Sequence, residues 1–119
     1  METKLIRVNG NYNGITLESG KILFKDIAMA IIDGQNVTVD FANQEYLTSV
    51  FLNASIGYLY AFFKTDIINE KLTVSIEGSQ LSGFNLIDRV LKNSEKYWND
   101  NNFHDAVDIA IAKLSEGIL

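Results

Sequence analysis

The chain contains no cysteine, which excludes disulfides, thiolate metal sites and thiol nucleophiles. A single histidine, His104, removes most zinc sites and most histidine-dependent catalytic schemes. Proline is also absent, against an average usage of about 5%, and this carries no functional implication. No basic segment followed by an apolar stretch opens the chain at Met1-Glu2-Thr3-Lys4, so no secretory signal is read there. Long apolar runs are missing too. The longest, Val50 to Phe63, is broken by Asn53, Ser55 and Gly57 and is shorter than the about 20 residues that span a bilayer. Basic side chains number ten against fifteen acidic ones, and the net charge of −5 argues against a nucleic-acid backbone as partner. These absences predict a cytoplasmic protein with no cofactor, no metal, no nucleic acid and no membrane.

What is present suits one globular domain. The 119 residues are 47% hydrophobic and 21% charged, enough to bury roughly two-thirds of the unfolded chain's surface. Leu5-Ile6-Arg7-Val8 reads as a short strand, and Ile15-Thr16-Leu17 as a second, since β-branched and apolar residues fit a pleated surface. Ser19 is expected to cap a helix whose buried face is Leu23, Ile27 and Ile31, ended by Asp33-Gly34. Val37, Val39 and Phe41 alternate with polar or small residues and predict a central strand.

A second helix is expected from Thr48 or Ser49 to about Phe63, apolar on nearly every face. Such a helix is either buried or lends one face to a partner. Asp66, Glu70 and Lys71 read as a solvated connection, and Leu72, Val74 and Ile76 as a further strand. Gly78 to Gly83 forms a turn, and it lacks the Lys-Ser/Thr of a phosphate-binding loop. Ser82 is placed to cap a third helix carrying Ile87, Leu91 and Trp98, interrupted at 99–102. Phe103, Val107, Ile111 and Leu114 then outline a last amphipathic helix. Its His104 and Asp108 share a face, but a pair without a third ligand reads as surface charge. Alternating strands and helices define an α/β fold, with a central sheet of about four strands packed against helices.

Val37-Thr38-Val39-Asp40-Phe41, followed by Leu47-Thr48-Ser49-Val50-Phe51-Leu52, resembles the STAS-like domain family of unknown function found in bacteria and archaea. Leu17-Glu18-Ser19-Gly20 resembles that family's entry segment, and Leu86-Ile87-Asp88-Arg89-Val90-Leu91 its closing helix. The resemblance covers about residues 15–98 of a single domain spanning 1–119 and leaves 99–119 as an extra C-terminal helix. It implies kinship with the anti-anti-sigma domains of bacterial partner switches, signalling modules that bind a protein partner when unphosphorylated. It also implies a histidine-kinase-like ATPase as partner and kinase. Here Thr48-Ser49-Val50-Phe51 stands in place of the usual Asp-Ser-Ser-Gly, which puts Val50 at the usual acceptor position.

Thr48 and Ser49 are therefore candidates both for a helix cap and for a phosphoacceptor. Asp40, Asn43, Val50 and Phe51 are the candidate partner surface, although Asp40 also reads as a loop or capping carboxylate and Asn43, on its own residues, as a loop residue. Three functions compete. The first is a non-enzymatic protein-interaction module. The second is a small ligand-binding domain or enzyme using Asp40 and the nearby hydroxyls, although no nucleophile–base pair is visible. The third is a structural subunit of a homo-oligomer.

Overall fold

Each strand is followed by a helical segment, and that alternation makes a parallel sheet. The computed structural model describes residues 3–44, 46–75 and 81–100. In it β1 (Thr3–Arg7) leads through a turn to α1 (Leu17–Ile32), which returns to β2 (Asn36–Asp40). A broken helical path follows: α2 (Ser49–Leu52), one π-helical turn (Asn53–Gly57), α3 (Leu59–Phe62) and α4 (Thr65–Lys71). It delivers β3 (Leu72–Ser75), and α5 spans Leu81–Asp100.

The described residues form a three-stranded parallel sheet in the order β1-β2-β3. The strand around Val37–Phe41 is thus central, as the alternation predicted. The sheet has three strands instead of about four, because Ile15-Thr16-Leu17 starts a helix. Thr16 has extended backbone (φ −94°, ψ 153°), and its hydroxyl accepts the Ser19 N–H at 3.2 Å. Thr16, not Ser19, is the N-cap. Two β-branched residues in a row were a weaker determinant than one hydroxyl placed to satisfy an orphan N–H.

Register sorts the sheet's two faces. Ile6, Val39 and Val74 align across the strands, as do Lys4, Val37 and Leu72. Ile6, Val8, Val37, Val39 and Phe41 are buried under the helices. The alternate residues Thr3, Leu5 and Arg7 of β1 are exposed, and Asn36, Thr38 and Asp40 of β2 are half-buried. The core therefore lies on one side of the sheet.

Helix α1 contributes Leu23, Ile27 and Ile31 to that core at the predicted four-residue spacing. It ends in paired hydrogen bonds, Gln35 N–H to Ala30 O at 3.0 Å and Gly34 N–H to Ile31 O at 2.9 Å. This Schellman arrangement needs left-handed backbone at its hinge, and Gly34 supplies it with φ +86°.

The 49–63 segment is mostly buried, and its buried side chains join the core shared with the sheet, α1 and α5. Phe51, Leu52, Ile56 and Leu59 are wholly inaccessible to solvent. The path is not one continuous helix. Within the π-helical turn Ser55 is buried, and its hydroxyl donates to Phe51 O at 2.8 Å. A hydroxyl bonded back to the preceding turn bends a helix, which lets the chain follow the surface of α1. Gly20 of α1 is the point of closest approach: a Cβ there would lie 2.7 Å from Ala54 Cβ and 2.7 Å from Phe51 O. On the far side, Tyr58 meets Phe24 and Trp98 edge-on, with ring centroids 5.1 Å and 5.7 Å apart. That contact adds to the buried Ile87 and Val90 in holding α5 against the rest.

Asp66, Glu70 and Lys71 lie in α4 and not in an irregular connection; one buried residue, Ile68, holds this helix down. Ser82 falls inside α5. Ile76, the 78–80 part of the expected turn, and the amphipathic stretch with His104 and Asp108 lie outside the described residues. Among the described residues no helix is long and apolar enough to cross a membrane, and no group of three metal-ligating side chains occurs.

Candidate functional site at the start of the second helix

The loop from β2 to α2 is built by local hydrogen bonds. Asp40, at the end of β2, accepts the Ala42 N–H on Oδ1 at 2.8 Å, an Asx turn. Gln44 N–H bonds Phe41 O at 3.0 Å and closes a β-turn. Asn43 occupies its third position with φ 61°, a conformation that asparagine tolerates better than most residues. Asp40 and Asn43 therefore shape the turn. No hydrogen bond joins Asp40 to either candidate hydroxyl among the described residues.

Thr48 is the junction of the site. Its N–H donates to Gly14 O at 2.9 Å and its hydroxyl donates to Ile15 O at 2.7 Å. The same oxygen accepts the Phe51 N–H at 3.2 Å, making Thr48 the N-cap of α2. One side chain thus starts the helix and ties the 41–48 loop to the loop before α1.

The next three residues diverge sharply. Ser49 is exposed and its hydroxyl makes no hydrogen bond among the described residues. Val50 is 52% exposed. Phe51, expected on the partner surface, is fully buried instead. A helix turns about 100° per residue, so Val50 and Phe51 cannot share a face, and Phe51 anchors the site from beneath.

Residues that the sequence reading passed over complete the rim. Ile15, Leu17 and Tyr46 are 48%, 44% and 63% exposed. Ile15 is held beside Thr48 by its carbonyl, and Tyr46 is held through its carbonyl by Gln44 Nε2 at 3.0 Å. The signal in the sequence was faint: an apolar residue within a turn-rich run, with no periodicity to mark it. No acidic residue occupies the first turn of α2, so the exposed N–H end of that helical path has no charge partner of its own there.

The site is a hydrogen-bonded loop and helix start with exposed apolar residues and one exposed serine hydroxyl, carried on a parallel α/β sheet that is covered by helices on one side. That architecture is STAS-like. The chain belongs to the STAS-like domain family of unknown function, whose model matches residues 19–78. The matched stretch runs from α1 through β3 and contains the 40–51 loop and helix start, but it stops short of Leu86–Leu91, which the motif resemblance had included. No curated protein and no solved structure gives a significant match.

Proposed function

We propose that the chain is a non-enzymatic regulatory module that binds a protein partner through the start of α2 and the loops beside it. The observation that carries this reading is the set of exposed apolar side chains, Ile15, Leu17, Tyr46 and Val50, on the loop before α1, the loop before α2 and the two helix starts, segments that Thr48 ties together. Exposed apolar groups on a hydrogen-bonded, preorganised loop lose little conformational freedom on docking. Membership of a STAS-like family supports a partner of the histidine-kinase-like ATPase class, with cytoplasmic signalling as the setting.

Ser49 gives such a surface its switch. Its exposed hydroxyl lies at the rim, where a phosphate would add close to two negative charges to a surface otherwise apolar. Val50 has no hydroxyl, so phosphorylation in this chain falls to Ser49. The competing catalytic reading draws no support from the loop, since Asp40's carboxylate serves the Ala42 N–H.

The test is a titration of the purified partner, identified by co-purification from the native host, against four forms of the chain. Val50→Lys and Ser49→Asp are expected to weaken binding at least about tenfold, or about 1.4 kcal/mol, while Ser49→Ala retains the wild-type affinity. Unchanged affinity for Val50→Lys, with the wild-type melting temperature, would place the docking surface elsewhere.

A further inference from the structure

We propose that two copies of this chain associate through the outer edge of β1, antiparallel about a two-fold axis at Leu5, so that the three described strands of each copy join in one continuous sheet. The direction of β1's backbone groups follows from one bond. Val8 N–H donates to Asp40 O at 2.9 Å, so Lys4, Ile6 and Val8 turn their amides and carbonyls toward β2. Thr3, Leu5 and Arg7 turn theirs to the opposite side. Among the described residues no strand pairs with that side. Asn11 Nδ2 donates to Arg7 O at 3.0 Å and closes the edge at its end.

The remaining groups are self-complementary. In a two-fold pairing centred on Leu5, each Leu5 N–H reaches the other copy's Leu5 carbonyl, and each Arg7 N–H reaches the other's Thr3 carbonyl. Lys4 falls opposite Ile6 and Arg7 opposite Thr3, so no two cations face each other. Centring on Lys4 instead would oppose two like charges. Asn11 already holds the Arg7 carbonyl, so centring on Leu5 leaves only the Thr3 N–H groups without an acceptor and keeps four bonds, whereas centring on Ile6 would turn both Leu5 N–H groups onto that occupied carbonyl and keep two.

The side chains suit the same occupant. Leu5 is 51% exposed on the open face of the sheet, where the axis would bring two leucines together. On the helix-covered side an open groove runs along the strand, lined by Lys4, Arg7, Tyr12, Ile22 and Asp26 among others. Ile22 in that groove is 56% exposed. Asp26 accepts a hydrogen bond from the Tyr12 hydroxyl and has no cation partner among the described residues. In this pairing the second copy's Lys4 falls opposite Ile6, at the groove that holds Asp26 together with this chain's own Lys4 and Arg7. Exposed strand edges of this kind are templates for pairing.

Sedimentation equilibrium on the full chain tests this, between about 5 and about 500 µM, because an edge contact is smaller than a standard interface. A monomer–dimer equilibrium is expected. Leu5→Lys sets two ammonium groups face to face and should raise the dissociation constant at least about tenfold. Leu5→Pro should also abolish the dimer, since that N–H faces away from β2 and its loss leaves the sheet intact. Amide exchange at Leu5 and Arg7 should slow as concentration rises, and that at Val8 should not. A monomer at every concentration overturns the proposal, as does a dimer that Leu5→Lys leaves unchanged. Pairing of β1 with a strand of a different protein, in a chain that stays monomeric alone, overturns it equally.

Discussion

Val50 and Phe51 are consecutive, apolar and in the same turn of helix, yet one is half exposed and the other wholly buried. The difference separates two regions of the molecule. From Phe51 to Phe63 the chain is packed between the sheet, α1 and α5, and a substitution there acts on stability. From Asp40 to Val50 it is a surface loop held by hydrogen bonds, and a substitution there acts on what the surface can bind. Thr48 belongs to both regions, because its hydroxyl starts the buried helix and fixes the exposed rim.

The contrast can be broken most forcefully from the buried side. Phe51→Ala should cost about 3–5 kcal/mol of unfolding free energy in urea denaturation, and a loss below about 1 kcal/mol would show that the site is not anchored there. Gly20→Ala comes next. Its methyl would press on the backbone carbonyl of Phe51, an overpacking worth about 1–3 kcal/mol. Thr48→Ala removes a cap and a loop tie, for about 1 kcal/mol or somewhat more, and Thr48→Ser should restore most of it. Val50→Lys should stay within about 0.5 kcal/mol of wild type in the same assay while losing the partner.

A pH measurement sharpens the picture at a third place. Burial, followed by the hydrogen bond and charge of Asp26, pushes the Tyr12 phenol well above its ordinary value of 10.0. The folded state therefore favours the protonated phenol. Its contribution to stability is whole below about pH 10 and is lost as pH rises above that, when the unfolded chain's tyrosine ionises. Tyr12→Phe should flatten the decline of stability with alkali relative to wild type, as read from melting temperatures across that range.

Periodicity carried much of the fold. The alternation of Val37, Val39 and Phe41 and the spacing of Leu23, Ile27 and Ile31 are direct consequences of geometry, since strands repeat about every two residues and helices about every 3.6. Those patterns were sufficient to place the central strand and α1. Short elements left no such record. Helix α4 has a single buried residue, too few to define a period, and the π-helical turn, with its back-bonded Ser55, lies inside a sequence that reads as ordinary helix.

The candidate site divides along the same line. Sequence alone determined that hydroxyls would stand at the head of the second helix and that Asp40 would end a strand, because local chemistry makes caps and turns. It also determined that thiol chemistry is absent. Which of two hydroxyls caps the helix, whether Val50 or Phe51 faces water, and that Ile15 is tied to the helix start at Thr48 were decided by tertiary structure. The physical reason is that these choices depend on α1 reaching Phe51 at Gly20 and on Gly14 and Ile15 meeting Thr48, contacts between residues about thirty or more positions apart that no local propensity encodes.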